Sequence, residues 1–201
     1  MESVALSMPM RLDRPPASRT ALKSSVELGS KGADEWGMQS VSTGIEIKHL
    51  YVSPGHSFFG RHGKEAGEFP MIEMPEIRVL AGRGIEGDRF LNYKPHYKGQ
   101  ITFFAQEIYD QLCVELDVWD KPPSAFRRNV ITRGVNLNEL IGVEFEVQGV
   151  RFLGTEESKP CYWMNRAFGA GAEAALAGNG GLRAKILTDG VLRACAPGSL
   201  D

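Results

Sequence analysis

No run of apolar residues in this 201-residue chain approaches the eighteen or so that a membrane-spanning helix needs, so no membrane association is predicted. Cysteine is scarce. The three present, at 113, 161 and 195, lie far apart and form no C-x-x-C pair, which excludes a disulfide scaffold and fits a reducing, cytoplasmic setting. No charge of one sign dominates either. Lys and Arg number 23 against 25 Asp and Glu, for a net charge of −2, so no bulk positive field is available to hold nucleic acid. The first 35 residues contain no aromatic and no isoleucine. Such a segment cannot bury enough apolar surface to offset its ordering entropy, so residues 1–44 are expected to be a flexible extension. Basic residues there (Arg11, Arg14, Arg19, Lys23, Lys31) are interspersed with Glu2, Asp13, Glu27 and a Pro15-Pro16 pair, which argues against an amphipathic targeting helix.

What is present is ordinary globular material. A hydrophobic fraction of 42% and a charged fraction of 24% suit a single folded domain, expected over residues 45–201. Short β-like runs broken by glycine fill it. Strands are predicted at Ile45–Val52, Ile77–Ala81, Gly99–Phe103 and Asn129–Thr132. Val143, Phe145 and Val147 alternate with Glu144 and Glu146, and the Gln148-Gly149 turn leads into Val150–Leu153. Phe104, Ile108, Leu112 and Leu116 recur every four residues and predict a helix over Ala105–Leu116. A second helix is expected over Arg166–Leu176, ending at Gly178-Asn179-Gly180-Gly181. A last hairpin is expected to join Leu182–Leu187 to Val191–Ala194 around Asp189-Gly190. Many short strands and few helices give a mainly β fold, barrel or sandwich.

Gly82-Arg83-Gly84-Ile85-Glu86-Gly87 spells G-x-G-x-x-G after a predicted strand. A dinucleotide site needs a helix to begin there, but Asp88 to Pro95 carry no helical stripe, so a glycine-rich bend is expected. Pro160-Cys161 resembles half of a zinc-deaminase signature. Met164 stands where the second cysteine belongs, and no histidine precedes a glutamate by two residues. Cys161 itself ends a polar stretch after a strand, with Lys159 near enough to favour a thiolate; the alternative is a buried structural thiol. Cys113 and Cys195 read as structural. Arg127-Arg128-Asn129 could grip a phosphate or carboxylate, or be a solvated charge pair. The loop from Ser53 to Gly63 either lines a substrate pocket with His56, Phe59 and Arg61 or is a surface loop.

In order along the chain stand Gly84-Ile85-Glu86-Gly87-Asp88-Arg89-Phe90, Gly99 to Phe104, Phe126 to Val130, Gly134-Val135-Asn136-Leu137 with Leu140-Ile141-Gly142, Pro160-Cys161, and Gly181-Leu182-Arg183-Ala184. This ordered set resembles a MOSC domain, the domain named for the C-terminal part of molybdenum cofactor sulfurase, and the loop at 56–60 is similar to the bacterial stand-alone members. The resemblance implies a barrel-like, mainly β fold that binds the molybdenum cofactor, a pterin bearing a phosphate and a dithiolene. It implies that Cys161 ligates the metal and is catalytic, and that Arg127, Arg128 and Asn129, with Lys159, Gly87 and Asp88, hold the cofactor. It also implies reduction of a small N-hydroxylated substrate to an amine, with electrons from an external donor protein. A non-catalytic carrier of the cofactor, or of persulfide sulfur on Cys161, is the alternative. The chain departs from the family at its end, where Ala194-Cys195-Ala196-Pro197 replaces a common Gly-Asp pair, so the closing strand is expected to differ.

Overall fold

Eleven strands and three short α-helices account for the regular structure among the residues that the computed structural model describes, namely 41–42, 44–58, 60 and 63–195. The strands are β1 (Val41–Ser42), β2 (Glu46–Val52), β3 (Ile72–Glu73), β4 (Glu76–Leu80), β5 (Gly84–Ile85), β6 (Ile101–Ala105), β7 (Val130–Arg133), β8 (Glu144–Val147), β9 (Val150–Glu157), β10 (Leu182–Ile186) and β11 (Gly190–Arg193). The helices are α1 (Gln106–Leu116), α2 (Trp163–Ala167) and α3 (Ala172–Ala175). The fold is mainly β, as expected. Its strands make one eight-stranded sheet, ordered β1-β8-β9-β10-β6-β7-β2-β3, and a three-stranded sheet, β11-β4-β5, and neither closes into a hydrogen-bonded barrel.

Side-chain alternation explains how the sheet carries two cores. On β6, Phe103 and Phe104 are both fully buried but point to opposite faces. Phe103 meets Phe145 and Phe152 in a cluster with Ile47, Val79, Ile85 and Leu192, which joins the large sheet to the small one. Phe104 meets Phe126 in a second cluster, which packs α1, α2 and α3 through Leu112, Trp163, Met164, Phe168 and Leu176. β6 and β7 are parallel, so the chain must cross over between them, and α1 with the 3-10 turn Pro123–Phe126 supplies the crossover.

Most predicted strands and α1 appear where expected. The Gln148-Gly149 turn has φ of 51° and 79°, the left-handed pair that a two-residue hairpin requires, and it joins β8 to β9. Two expectations fail. The helix predicted over 166–176 is split into α2 and α3 by a segment containing Gly169 and Gly171, the latter at φ 90°, outside the α-helical region. The last hairpin does not form. β10 pairs with β9 and β6, whereas β11 leaves for the small sheet and pairs with β4. The Asp189 carboxylate, accepting from the Ala81 N–H at 2.6 Å, and the Gly82 N–H donating to the Ile186 carbonyl redirect the chain. β11 runs from Gly190 to Arg193 despite the altered residues after it; residues 196–201 lie outside the described residues.

Gly181 marks where the fold is tightest near the site. At φ 98° its backbone passes so close to β6 that a Cβ would sit 2.3 Å from the Phe103 carbonyl oxygen, and its own carbonyl accepts from the Ser158 N–H at 2.7 Å.

Candidate functional site

Three loops meet above the second core. The 53–58 loop follows β2, the 126–129 segment precedes β7, and the 158–161 segment follows β9. They enclose a cleft of about 230 Å³ whose lining includes His56, Phe90, Tyr97, Arg127, Arg128, Ser158, Cys161 and Trp163. Arg89 and Arg183 also reach it, so four arginines and one cysteine line the same cleft.

Arg127 and Arg128 both face the cleft, which neighbours on one strand could not do. They lie before β7. Arg127 caps the 3-10 turn in the left-handed region at φ 55°, turning its side chain away from strand alternation. Its guanidinium donates to Phe69 O at 2.8 Å, Ser53 Oγ at 2.9 Å and Gly55 O at 3.1 Å, and lies over the Phe58 ring. Arg128 donates to Phe126 O and Ser158 O at 2.7 Å and twice to Gly180 O, at 3.0 and 2.9 Å. Four of its five N–H groups are thereby used on neutral carbonyls, and one remains for a ligand. Among the described residues, neither arginine has a carboxylate within 4 Å; the pairs formed at the cleft are Arg89 with Asp88 and Arg183 with Glu156. Burial pushes Arg127 and Arg128 down to about 10; for Arg127 the Arg89 charge adds to the effect, and for Arg128 the Arg183 charge does. Both remain cations at neutral pH, and a thiolate on Cys161 acts in the opposite direction on Arg128.

Cys161 is exposed and free, at the turn that opens α2, where its carbonyl accepts from the Met164 N–H at 2.8 Å. Cys113 is buried in the helical core, and Cys195 lies far along the chain with its N–H on Ile47 O.

Asp88 and Asn129 are brought close to the cleft but behind its wall. Asp88 Oδ2 accepts from the Ser53 N–H at 3.1 Å and from Asn129 Nδ2 at 3.2 Å, while its Oδ1 accepts from the Phe90 N–H at 3.0 Å. The Asn129 amide oxygen accepts from the Thr102 N–H and hydroxyl, and its Nδ2 also donates to Tyr51 O. That side chain is fully spent on the protein, so Asn129 acts on the site by holding Asp88 and Thr102 in place. Lys159 is exposed and is not among the residues that line the cleft, and Gly87 is exposed at a turn with φ 79°. Phe59 and Arg61 lie outside the described residues. The G-x-G-x-x-G run holds no helix start; it forms β5 and the turns around it.

Sequence reasoning missed Arg89 and Arg183. Arg183 lies on β10, whose buried positions (Leu182, Ala184, Ile186) alternate with it, so the strand's period already placed it on the face opposite the core. Its Nε is buried without a hydrogen-bond partner among the described residues, an orphan donor at the edge of the cleft.

Burial, with the Arg89 charge next and Asp88 opposing, holds His56 below its ordinary 6.5. Its folded value is lower than its unfolded one. Its contribution to stability is therefore complete above pH 6.5 and is lost as pH falls from 6.5 towards the folded value. An anion in the cleft would oppose the Arg89 and Arg127 charges that act on this ring. NMR titration of the His56 ring is expected to give a value below 6.5 in the free protein and a higher one with phosphate bound. A free-protein value at or above 6.5 would contradict this electrostatic picture.

Four guanidiniums, two of them without a carboxylate partner, and an exposed cysteine lining one cleft of a two-sheet β domain define a protein suited to hold an anion beside a soft ligand atom. The MOSC domain family matches residues 84–197, more than half of the chain, and the protein belongs to that family. The family is one that binds the molybdenum cofactor in general. No curated protein matches the chain. Among solved structures, the YuaD protein of Bacillus subtilis is similar in fold, with a TM-score of 0.56 at 17% identity, covering 74% of this chain and 91% of that one. YiiM of Geobacillus stearothermophilus gives a TM-score of 0.56 at 14% identity, covering 76% of this chain and 73% of that one.

The cleft's residues fit such a group. The orphan Arg183 Nε and the remaining Arg128 N–H suit a phosphate, and the Cys161 thiol suits a soft metal. Among the described residues no three His, Cys, Asp or Glu side chains gather where they could hold a metal ion.

Proposed function

We propose that the protein binds the molybdenum cofactor in the Cys161 cleft and reduces N-hydroxylated compounds to amines. The observation that carries this reading is the pairing of one exposed thiol with guanidiniums that lack carboxylate partners. In this reading Cys161 ligates the metal, and Arg128 holds the phosphate, joined by the unbonded Nε of Arg183, whose Nη1 is paired with Glu156. When bound, the cofactor supplies two-electron redox chemistry at a soft metal. The net change breaks one N–O bond and consumes two electrons and two protons, giving an amine and water. Electrons come from an external donor protein. His56, Phe90, Tyr97 and Trp163 give the cleft aromatic walls on which a planar substrate packs, and Asp88 and Asn129 keep the arginine-bearing segment in register with the 53–58 loop.

The exposure of Cys161 also favours a second reading, a carrier that holds persulfide sulfur on that thiol. Turnover separates the two. Protein made in a host that synthesises the cofactor is expected to consume an N-hydroxylated amidine with a reduced viologen as donor, and Cys161→Ala is expected to lose at least a hundredfold in rate. Metal-loaded protein without turnover would overturn the reductase reading, and a persulfide formed on Cys161 without metal would support the carrier.

A further inference from the structure

The Gly134-Val135-Asn136-Leu137 motif plays no part in the Cys161 cleft. It lines a separate cavity of about 440 Å³, within the size range of small-molecule sites, together with Glu107 and Ile108 of α1, Asn138, Asn179 and Gly181. Ala105, Ile108, Val135 and Leu137 make its apolar part. Its one charged lining residue is Glu107.

Glu107 Oε1 accepts from the Gly134 N–H at 2.8 Å, and among the described residues no cation pairs with this carboxylate. The neighbouring Arg133 is committed to Asp110 at 2.8 Å. The positive end of α1 carries only about half an elementary charge, too little to cancel that of a carboxylate. Asn138 Nδ2 is spent on Gly178 O at 2.8 Å and on Asn179 Oδ1 at 3.4 Å, which leaves the Asn138 Oδ1 as an acceptor. The unused polar atoms around Glu107 and Asn138 therefore include two acceptors, Glu107 Oε2 and Asn138 Oδ1, and one donor group, Asn179 Nδ2, beside apolar side chains. A carboxylate and an amide oxygen call for a donor-rich cation, and the apolar lining calls for a flat hydrocarbon body.

From this arrangement we infer a second ligand site, for a small organic cation of the amidinium or ammonium class. Gly181 lines it, and the adjoining Gly180 carbonyl is held by Arg128, so its occupant sits on the reverse of the segment that positions an arginine of the Cys161 cleft.

The test uses benzamidinium as the probe and its neutral counterpart, benzamide, as the control, followed through backbone amide shifts of the full chain. Benzamidinium is expected to give saturable shifts at Gly134, Val135, Asn138 and Gly181. Glu107→Gln keeps an acceptor for the Gly134 N–H and should weaken binding about tenfold, as should the loss of charge in benzamide. Val135→Trp, which adds bulk to the cavity lining next to Gly134, should remove the shifts while amides away from the cavity keep their native positions. Absence of saturable shifts at these residues, equal affinity for Glu107→Gln, or shifts centred on the Cys161 cleft would each overturn the inference.

Discussion

Asp88→Ala is expected to destabilise the protein by about 3–5 kcal/mol, the cost of leaving a buried partner charge uncompensated. Its carboxylate and the Arg89 guanidinium are 1% and 9% exposed, and 3.4 Å separates them. Asp88 also receives the Ser53 and Phe90 N–H groups and the Asn129 amide, so one truncation strands donors from three segments. For a chain of this size the loss corresponds to a fall of roughly 10 °C in Tm. Denaturant melts should show a lower midpoint with an unchanged slope. Asp88→Asn keeps one acceptor and should lose less. A midpoint for Asp88→Ala within about 0.5 kcal/mol of the wild type, the scale of an ordinary surface substitution, would show that this hub does not hold the loops together.

Arg128→Leu is expected to weaken phosphate binding by roughly tenfold to a hundredfold, the value of one charge-assisted hydrogen bond in a partly desolvated cleft. Two consequences follow from its geometry. The carbonyls of Phe126, Ser158 and Gly180 lose their shared donor, so the segments around the cleft loosen as well. Arg128→Lys keeps the charge but not the planar fork, and should recover part of the affinity and less of the stability. Because burial holds this guanidinium at about 10, phosphate affinity should fall as the pH passes 10. Calorimetric titration across that range checks both points. Equal phosphate affinity in wild type and Arg128→Leu would remove this residue from the anion site.

Local pattern was enough for elements that depend on near neighbours. The fourfold spacing through Ile108 and Leu112 located α1, and the alternation around Phe145 located β8. The partner of β11 was not legible, because Asp189-Gly190 is a competent turn whether the next strand folds back or crosses to another sheet. The choice rests on the distant Ala81 amide. At the site, Cys161, Arg127 and Arg128 stood out by residue type, whereas Arg89 lay hidden in a glycine-rich bend and Arg183 in a strand. Asn129 shows the opposite limit. Its position beside two arginines suggested a ligand contact, yet its amide is consumed by Thr102, Tyr51 and Asp88, a fact that only the assembled fold contains.

In the proposed reading, Cys161 and the arginines that share its cleft hold the molybdenum cofactor. Its most direct test is molybdenum per chain, by elemental mass spectrometry, for wild type and Cys161→Ala purified from a host that makes the cofactor. Near-stoichiometric metal in the wild type, lost in Cys161→Ala, is the expected result. Wild-type protein without molybdenum, from a host shown to load another molybdoenzyme, would contradict it.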